Sequence, residues 1–158
     1  MPLTDDQLLE RFNTRRPPTG ILFKSHVLEV RSADGFVRMS YDIGAEYTNP
    51  GGSVQGGIVT ALLDDTAAFA AIVKAGQPVF VATLELKTTF FAAAKPGLLY
   101  AEARVIKLGK TIGFIEADLI DPEGKLLARM TTTTAPRLLD RPANLIAGGV
   151  DNSRGDKQ

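Results

Sequence analysis

The sequence contains no cysteine and a single histidine, His26, among its 158 residues. The lack of cysteine excludes disulfides, thiolate chemistry and cysteine-based zinc sites. A single histidine excludes a metal cluster built from several histidines, and it leaves one candidate base for any catalytic triad. Nothing in the sequence therefore indicates a metal site.

The chain also lacks an excess of charge of either sign, because its 18 Lys and Arg residues balance 18 Asp and Glu residues. This balance argues against the broad basic surface of a nucleic-acid-binding protein. The N-terminal segment, MPLTDDQLLERF, is polar and acidic, unlike a signal peptide. We therefore expect a soluble, cytoplasmic protein with one main domain that binds neither nucleic acid nor membranes.

The most informative segment is Asn49–Val73, NPGGSVQGGIVTALLDDTAAFAAIV. A glycine-rich turn opens into about seventeen residues without a helix breaker, and apolar residues point in every direction around the predicted helix. A helix that is apolar all round is a buried helix. It is expected to be too short, and too interrupted by Asp64 and Asp65, to span a membrane. A carboxylate in such an apolar environment should have a raised pKa.

Six further segments have the patterns of strands, so that the predicted order is two strands, the helix and four strands. The predicted strands cover residues 23–31, 35–43, 79–91, 98–107, 111–121 and 125–137. Short turns between neighbouring strands predict an antiparallel meander curled around the helix. Such a meander leaves part of the helix uncovered, which favours a homodimer.

The two ends of the chain are predicted to lie outside this unit. Thr4 can cap a short helix that runs to about Arg11, and residues 15–20 form a linker rich in proline and glycine. Residues 140–158 are rich in Gly, Asn and charge, which predicts a disordered tail. The division is therefore 1–20 for the N-terminal helix and linker, 21–139 for the main domain and 140–158 for the tail.

The loop NPGGSVQGG at 49–57, Asp64 seven residues beyond it, and the strand TLELKTTF at 83–90 resemble the hotdog-fold acyl-CoA thioesterases. The resemblance is closest to the phenylacetate-degradation type, which is related to the 4-hydroxybenzoyl-CoA thioesterases. In that family an Asn precedes an HGG sequence, and an Asp follows the His by nine residues. Asn49, Gly56, Gly57 and Asp64 match these spacings, whereas Gln55 replaces the His. The resemblance implies an α+β hotdog fold, in which an antiparallel sheet wraps around one long central helix.

The resemblance also implies roles in hydrolysis of an acyl-CoA to free acid and CoA, without a metal or an organic cofactor. Asp64 matches the catalytic carboxylate, acting as nucleophile or as base on a water. Gly56 matches the residue whose backbone N–H polarises the thioester carbonyl. Asn49 matches a loop asparagine that positions water or substrate, and Thr83 falls where the family has a Ser or Thr near the attacking water.

Further residues are implied to contact the substrate, and each also has an ordinary structural explanation. Gln55 can orient the acyl group or cap the loop, and Gly57 lets the substrate approach the backbone. Four residues at turns can contact the phosphates of coenzyme A or simply be solvated: Lys95, Lys107, Lys110 and Thr111. Asn49 is also a common turn residue. For Asp65 we expect a structural role, with a bond to the backbone or to Thr66.

Helix geometry adds a constraint on the catalytic groups. Asp64 lies eight residues beyond Gly56, which is about 12 Å along a helix, whereas reacting groups must approach to about 3 Å. We therefore predict active sites at a dimer interface, with Gly56 of one subunit facing Asp64 of the other, and a dimer of dimers is also compatible.

Two other functions stay open at this point. One is a non-catalytic acyl-CoA-binding module in which Gln55 marks lost catalysis. The other is a hotdog hydratase/dehydratase, which uses an Asp/His pair, although His26 lies outside the loop that enters the helix.

Overall fold

A computed structural model describes residues 3–139, so the predicted tail at 140–158 lies outside the described residues. Three α-helices, one short 3-10 helix (Ala45–Tyr47) and six strands follow one another along these residues. The helices are α1 (Asp5–Thr14), α2 (Pro18–Leu22) and α3 (Gly56–Ala75). The strands are β1 (His26–Arg31), β2 (Phe36–Ile43), β3 (Val79–Phe90), β4 (Gly97–Leu108), β5 (Gly113–Ile120) and β6 (Leu126–Leu138). The predicted number, type and order of these elements around α3 are confirmed.

All six strands form one antiparallel sheet in the order β1-β2-β4-β5-β6-β3. The predicted meander is correct for β4, β5 and β6 but wrong for β3, which pairs with β6 at the far edge. The burial of the strands reflects this order. The inward face of β4 (Leu99, Ala101, Ala103 and Val105) is buried, whereas β3 is largely exposed along its 12 residues. The central strand β4 is thus covered by α3, whereas the edge strand β3 keeps apolar side chains exposed.

Helix α3 packs in the concave face of the sheet and supplies the centre of the core. Leu62, Leu63, Ala67 and Ala70 are almost completely inaccessible to solvent. Gly76 ends the helix in the left-handed conformation, with φ of 62°, which glycine adopts without steric cost. With 20 residues α3 is long and apolar enough to cross a membrane, contrary to our expectation, but half of it is buried within the protein. Burial of this kind is found in the core helices of globular proteins.

The N-terminal segment packs against the same core. Thr4 forms a capping box with Gln7 at the start of α1, which confirms the predicted cap, and the Phe12 ring meets the Phe69 ring edge-on at 4.8 Å. The predicted linker at 15–20 is only partly correct. Pro18 starts the short helix α2, because proline is well suited to the first turn of a helix, where no N–H donor is needed.

Candidate active site

Asp64 and Thr83 form a hydrogen-bonded pair between α3 and β3. The Thr83 hydroxyl donates to Asp64 Oδ1 at 2.8 Å. Thr83 faces the helix at a point where the pairing of β3 with β6 shifts register, between Thr83 and Glu85. Asp64 itself is only half-buried, on the side of α3 that faces the edge strand β3. The pair is therefore accessible to a small molecule from the edge of the sheet.

The start of α3 presents a second polar group of atoms. Gln55 is the N-cap, and its Oε1 accepts a hydrogen bond from the Ile58 N–H at 3.1 Å. The N–H groups of Gly56 and Gly57 have no partner among residues 3–139. Free N–H groups at a helix N-terminus carry partial positive charge and bind anionic oxygen atoms. The capping role considered for Gln55 is thus confirmed, and the two glycines are left as available donors.

Gly56 also lies against an aromatic ring. A Cβ atom at this position would stand 3.3 Å from Cζ of Phe90, near the end of β3. A side chain at residue 56 would therefore displace the Phe90 ring as well as cover the N–H group. This close approach is a physical reason for glycine at this position.

Asn49 shapes the loop that leads to these glycines. Its Oδ1 accepts hydrogen bonds from the N–H groups of Gly51 at 2.9 Å and Ser53 at 3.3 Å. The turn role that we weighed for Asn49 is therefore present, whereas its catalytic role stays a prediction.

The four turn residues predicted to contact coenzyme A are exposed and fall at two places. Lys95 belongs to the loop that supports the start of α3, because the Val54 N–H donates to the Ala94 carbonyl at 2.8 Å. Lys107, Lys110 and Thr111 lie at the β4–β5 hairpin. Residues 108, 113, 134 and 83 are paired in one row across the sheet, so this hairpin is about 15 Å from Thr83 at roughly 4.8 Å per strand.

One chain thus brings the predicted residues together in two separate groups. Asn49, Gln55, Gly56, Gly57 and Lys95 lie around the start of α3. Asp64 and Thr83 lie at the middle of α3. Thr83 is in the same row of the sheet as the β4–β5 hairpin, which carries Lys107, Lys110 and Thr111. Because α3 is one continuous helix, Gly56 and Asp64 are held about 12 Å apart along its axis.

The neighbouring carboxylate, Asp65, lies on a different side of the helix. Its Oδ2 accepts a hydrogen bond from the Tyr41 hydroxyl at 3.1 Å, and that hydroxyl is 2.8 Å from Thr66 Oγ1. Burial raises the pKa of Asp65 to about 6, opposed by the Tyr41 hydrogen bond and assisted by the charge of Asp64. Burial also raises the pKa of Tyr41, and the nearby Asp65 charge adds to this. The expected bond of Asp65 to the backbone or to Thr66 is wrong in its partner, because Tyr41 binds Asp65 instead.

Sequence reasoning missed Tyr41 as a partner, although one signal was present. Tyr41 falls in the alternating pattern of β2 together with Val37, Met39 and Ile43, all of them buried. A buried tyrosine hydroxyl needs a hydrogen-bond partner, and the polar residues of the facing helix are the available ones.

A metal site and the Asp/His pair of a hydratase can both be compared with this geometry. Within residues 3–139, no three His, Cys, Asp or Glu side chains are grouped so as to hold a metal ion. His26 is exposed at the start of β1 and lies outside the loop that enters α3. An Asp/His pair of the kind that a hydratase needs is therefore not formed between His26 and that loop.

Comparison with known proteins agrees with the fold. Residues 51–128 match the family model described as "Thioesterase superfamily". Human acyl-coenzyme A thioesterase 13 is 31% identical over 103 residues, which cover 63% of this chain and 72% of the human protein. A phenylacetic acid degradation-related protein of Ralstonia eutropha JMP134 is 28% identical, with a TM-score of 0.72 over 75% of this chain and 89% of that chain.

A second solved structure is similar in fold. The E. coli PaaI protein from the phenylacetic acid degradation operon has a TM-score of 0.72 at 17% identity, over 83% of this chain and 91% of that one. The sheet wrapped around α3, the glycine-rich entry loop and the similarity over most of the human relative all agree. The chain belongs to the Thioesterase superfamily and is a hotdog-fold thioester hydrolase.

Proposed function

We propose that the protein hydrolyses acyl-CoA thioesters to free acid and coenzyme A at sites shared between the two subunits of a homodimer. One observation carries the proposal. Asp64 with Thr83 and the free glycine N–H groups are the two halves of a hydrolytic site, yet one helix holds them about 12 Å apart. A second copy of the chain supplies the missing half. The name of the human relative, an acyl-coenzyme A thioesterase, supports coenzyme A as the leaving group.

In the proposed reaction Asp64 acts as a base on a water molecule. The carboxylate takes a proton from water while the water oxygen attacks the thioester carbonyl carbon. Thr83, which donates to Oδ1, keeps the carboxylate oriented and leaves Oδ2 for the water. The C–S bond then breaks, and the thiolate of coenzyme A receives the proton and leaves.

The oxygen of the carbonyl becomes negative during the attack and needs donors. Gly56 of the partner subunit offers a free backbone N–H at the positive end of its helix. A donor in such a position contributes roughly 10²–10³ in rate. Because glycine has no side chain, the thioester can approach the backbone closely.

Strand β3 provides the surface on which two copies can meet. It is an edge strand of 12 residues, and its exposed apolar side chains are 37–57% accessible: Phe80, Leu84, Leu86 and Phe90. A long apolar edge is otherwise prone to uncontrolled pairing. Antiparallel pairing of two β3 strands about a two-fold axis covers both edges and brings each helix start towards the middle of the other helix.

The proposed arrangement also places basic groups for the phosphates of coenzyme A. Lys107, Lys110 and Thr111 lie about 15 Å from Thr83 on the same subunit. Lys95 of the partner subunit enters with the glycine loop. The pantetheine arm can then run from the thioester towards these cations.

A first experiment measures free thiol released from a panel of aliphatic and aromatic acyl-CoAs. We expect turnover by the wild type. Binding of acyl-CoA without thiol release would instead indicate the non-catalytic module.

A second experiment tests whether the site is shared. Asp64→Asn and Gly56→Val homodimers are each expected to be inactive, the first without its base and the second without an accessible donor. When the two are unfolded together and refolded, about a quarter of wild-type activity should return, because half of the dimers are mixed and each keeps one of its two sites intact. A site contained within one subunit would give no recovery. A Gly56→Val homodimer of native mass and circular dichroism is the control for folding.

A further inference from the structure

Strand β3 is the edge of the sheet at which the two subunits are proposed to meet, and its side chains alternate between two faces. Leu86 pairs with the buried Thr132 of β6, so it lies on the inner face of the sheet, towards α3. Glu85 and Lys87 alternate with Leu86 and lie on the outer face. When a second chain pairs with this edge, residues that face each other across the two strands share one face of the sheet.

The outer face of this edge carries one charge of each sign. Glu85 and Lys87 are both exposed, and they are the two charged residues of β3. The ion pairs among residues 3–139 are all formed by other side chains. Opposite charges that face each other across an antiparallel pair stabilise it, and like charges destabilise it. These two side chains therefore distinguish between the registers in which two β3 strands can pair.

Two-fold symmetry leaves few registers to compare, because the residue on the axis faces its own copy. With Glu85 on the axis two glutamates face each other, and with Lys87 on the axis two lysines do, so both registers are disfavoured. With Leu86 on the axis, Glu85 of each subunit faces Lys87 of the other, which gives two favourable pairs. Registers with the axis elsewhere on β3 leave both charges opposite neutral residues. The charges thus favour Leu86 on the axis, where it also covers the exposed side chain of its own copy.

This register can be followed along the strand to the other end of the partner's β3. In its pairing with β6, β3 has one extra residue between Thr83 and Glu85. Counting outwards from Leu86 past this extra residue, Phe90 of the partner subunit faces Val81 on the inner face. Val81 is two residues from Thr83, which is about 7 Å along the strand.

The partner's Phe90 brings a glycine N–H with it. Within each chain Phe90 lies against Gly56, because a Cβ atom at Gly56 would stand 3.3 Å from Cζ of that ring. Thr83 in turn donates to Asp64. The register selected by the charges therefore brings the glycine donors of one subunit beside the carboxylate of the other.

We propose that Glu85 and Lys87 fix the register in which two β3 strands pair, with Leu86 on the two-fold axis, and thereby complete the active site. The inference rests on the proposed homodimer with shared sites and adds the contact that aligns its subunits. Glu85 and Lys87 are thus positioning residues, since they act through the placement of Gly56 of the partner subunit.

The absence of cysteine from the sequence allows the register to be measured by cross-linking. Facing residues of an antiparallel pair have Cα atoms about 4.5–5.5 Å apart, within the range of a disulfide. We therefore expect Leu86→Cys to form a covalent dimer under mild oxidation, measured by non-reducing gel electrophoresis. In Glu85→Cys and Lys87→Cys the two thiols are diagonal neighbours with Cα atoms about 7–8 Å apart, so cross-linking should be at least about tenfold slower. Thr131→Cys, on the exposed face of β6, is the control and should stay uncross-linked.

Neutral variants test the charges themselves. Glu85→Gln and Lys87→Gln each remove both facing pairs, so the dissociation constant of the dimer should rise about 2- to 30-fold in either variant. Exchange of the two charges, Glu85→Lys together with Lys87→Glu, restores both pairs and should return the constant to the wild-type value. Analytical ultracentrifugation measures these constants. With Lys87 on the axis, Lys87→Gln would instead tighten the dimer, because it removes two facing lysines.

The link between register and catalysis is tested with the cross-linked protein. Oxidised Leu86→Cys should release thiol from decanoyl-CoA and phenylacetyl-CoA at the rate of the reduced protein, because the disulfide holds the register that completes the site. Activity that is lost on oxidation and returns on reduction would overturn this role of the register.

The remaining outcomes separate this inference from the function on which it rests. Faster cross-linking through Glu85→Cys or Lys87→Cys than through Leu86→Cys, or a dimer tightened by either Gln variant, would overturn the register and leave acyl-CoA hydrolysis in place. A fully active wild-type monomer would overturn the shared site and the register together. Absence of thiol release from the wild type would overturn acyl-CoA hydrolysis, whereas the cross-linking pattern would still decide the register.

Discussion

The neighbouring carboxylates Asp64 and Asp65 lie in opposite environments on two sides of α3. On the side facing β3, Asp64 is half-buried, contacts Thr83 and remains accessible. On the side facing β2, Asp65 is held by the buried Tyr41, and burial raises its pKa to about 6. A rotation of about 100° around one helix thus separates a carboxylate suited to chemistry from one that affects stability. Substitutions on the two sides should therefore affect different measurements.

The largest effect is expected for Asp64→Asn, which keeps the shape of the side chain but removes the base. We expect kcat/KM for an acyl-CoA to fall by about 10²–10⁴-fold, the range found for general base catalysis. The free energy of unfolding should change by less than about 1 kcal/mol, because Asp64 is partly exposed. Thiol release and chemical denaturation measure the two quantities. Asp42→Asn, an exposed substitution on the other face of the sheet, is the matched control, and equal loss in both variants would contradict the assignment.

The next effect is a pH dependence that arises from Asp65. Folding raises the pKa of this carboxyl from 3.8 to about 6, so the folded chain keeps a proton that the unfolded chain releases between these values. The contribution to stability is complete below pH 3.8 and is lost as the pH rises through 6. The loss amounts to roughly 3 kcal/mol at 1.36 kcal/mol per pKa unit.

This dependence can be isolated by comparison with Asp65→Asn, which cannot titrate. Denaturation of both proteins across this range should show the wild type losing stability relative to the variant as the pH rises. A constant difference at all pH values would mean that the Asp65 carboxyl is not desolvated by folding.

A smaller loss is expected when the partner of Asp65 is removed. In Tyr41→Phe the buried ring stays but its hydroxyl is lost, together with contacts to Asp65 and Thr66. We expect the free energy of unfolding at pH 7 to fall by about 1–3 kcal/mol, because a buried carboxylate loses its donor. Tyr100→Phe, which lies on the outer face of the sheet, should change it by less than about 0.5 kcal/mol. Similar values for both tyrosines would remove the distinction between the two sides of α3.

The accessible side of α3 is also the side that sequence alone predicts best. The segment 56–75 is helical because it is apolar and free of breakers, and Gln55 and Gly76 provide its two caps. The spacing of the loop glycines and Asp64 is local along the chain, so the resemblance to thioesterases was visible there. The turn residues likewise predicted the bounds of most strands to within about three residues of the observed ones.

The other side depends on contacts between residues far apart in sequence. Tyr41 and Asp65 are 24 positions apart, and nothing local specifies their bond. The position of β3 beside β6 is a pairing between strands far apart in sequence, which short turns do not reveal. A groove between α1, α3 and the beginning of β3 is likewise formed by elements that are brought together only by the fold.

The smallest effect is expected for Thr83→Val, which tests what β3 contributes to the accessible side of α3. Valine keeps the shape and the β-branched preference of threonine but cannot donate to Asp64 Oδ1. The carboxylate remains present and only its orientation is less restricted, so kcat should fall by about tenfold, equivalent to one hydrogen bond of about 1.4 kcal/mol. Thr83→Ser keeps the hydroxyl and should therefore retain most of the wild-type rate. Thr131→Val, on the exposed face of β6, is the control and should leave the rate unchanged. Full activity of Thr83→Val would show that Asp64 needs no support from β3, and the catalytic side of α3 would then consist of the helix alone.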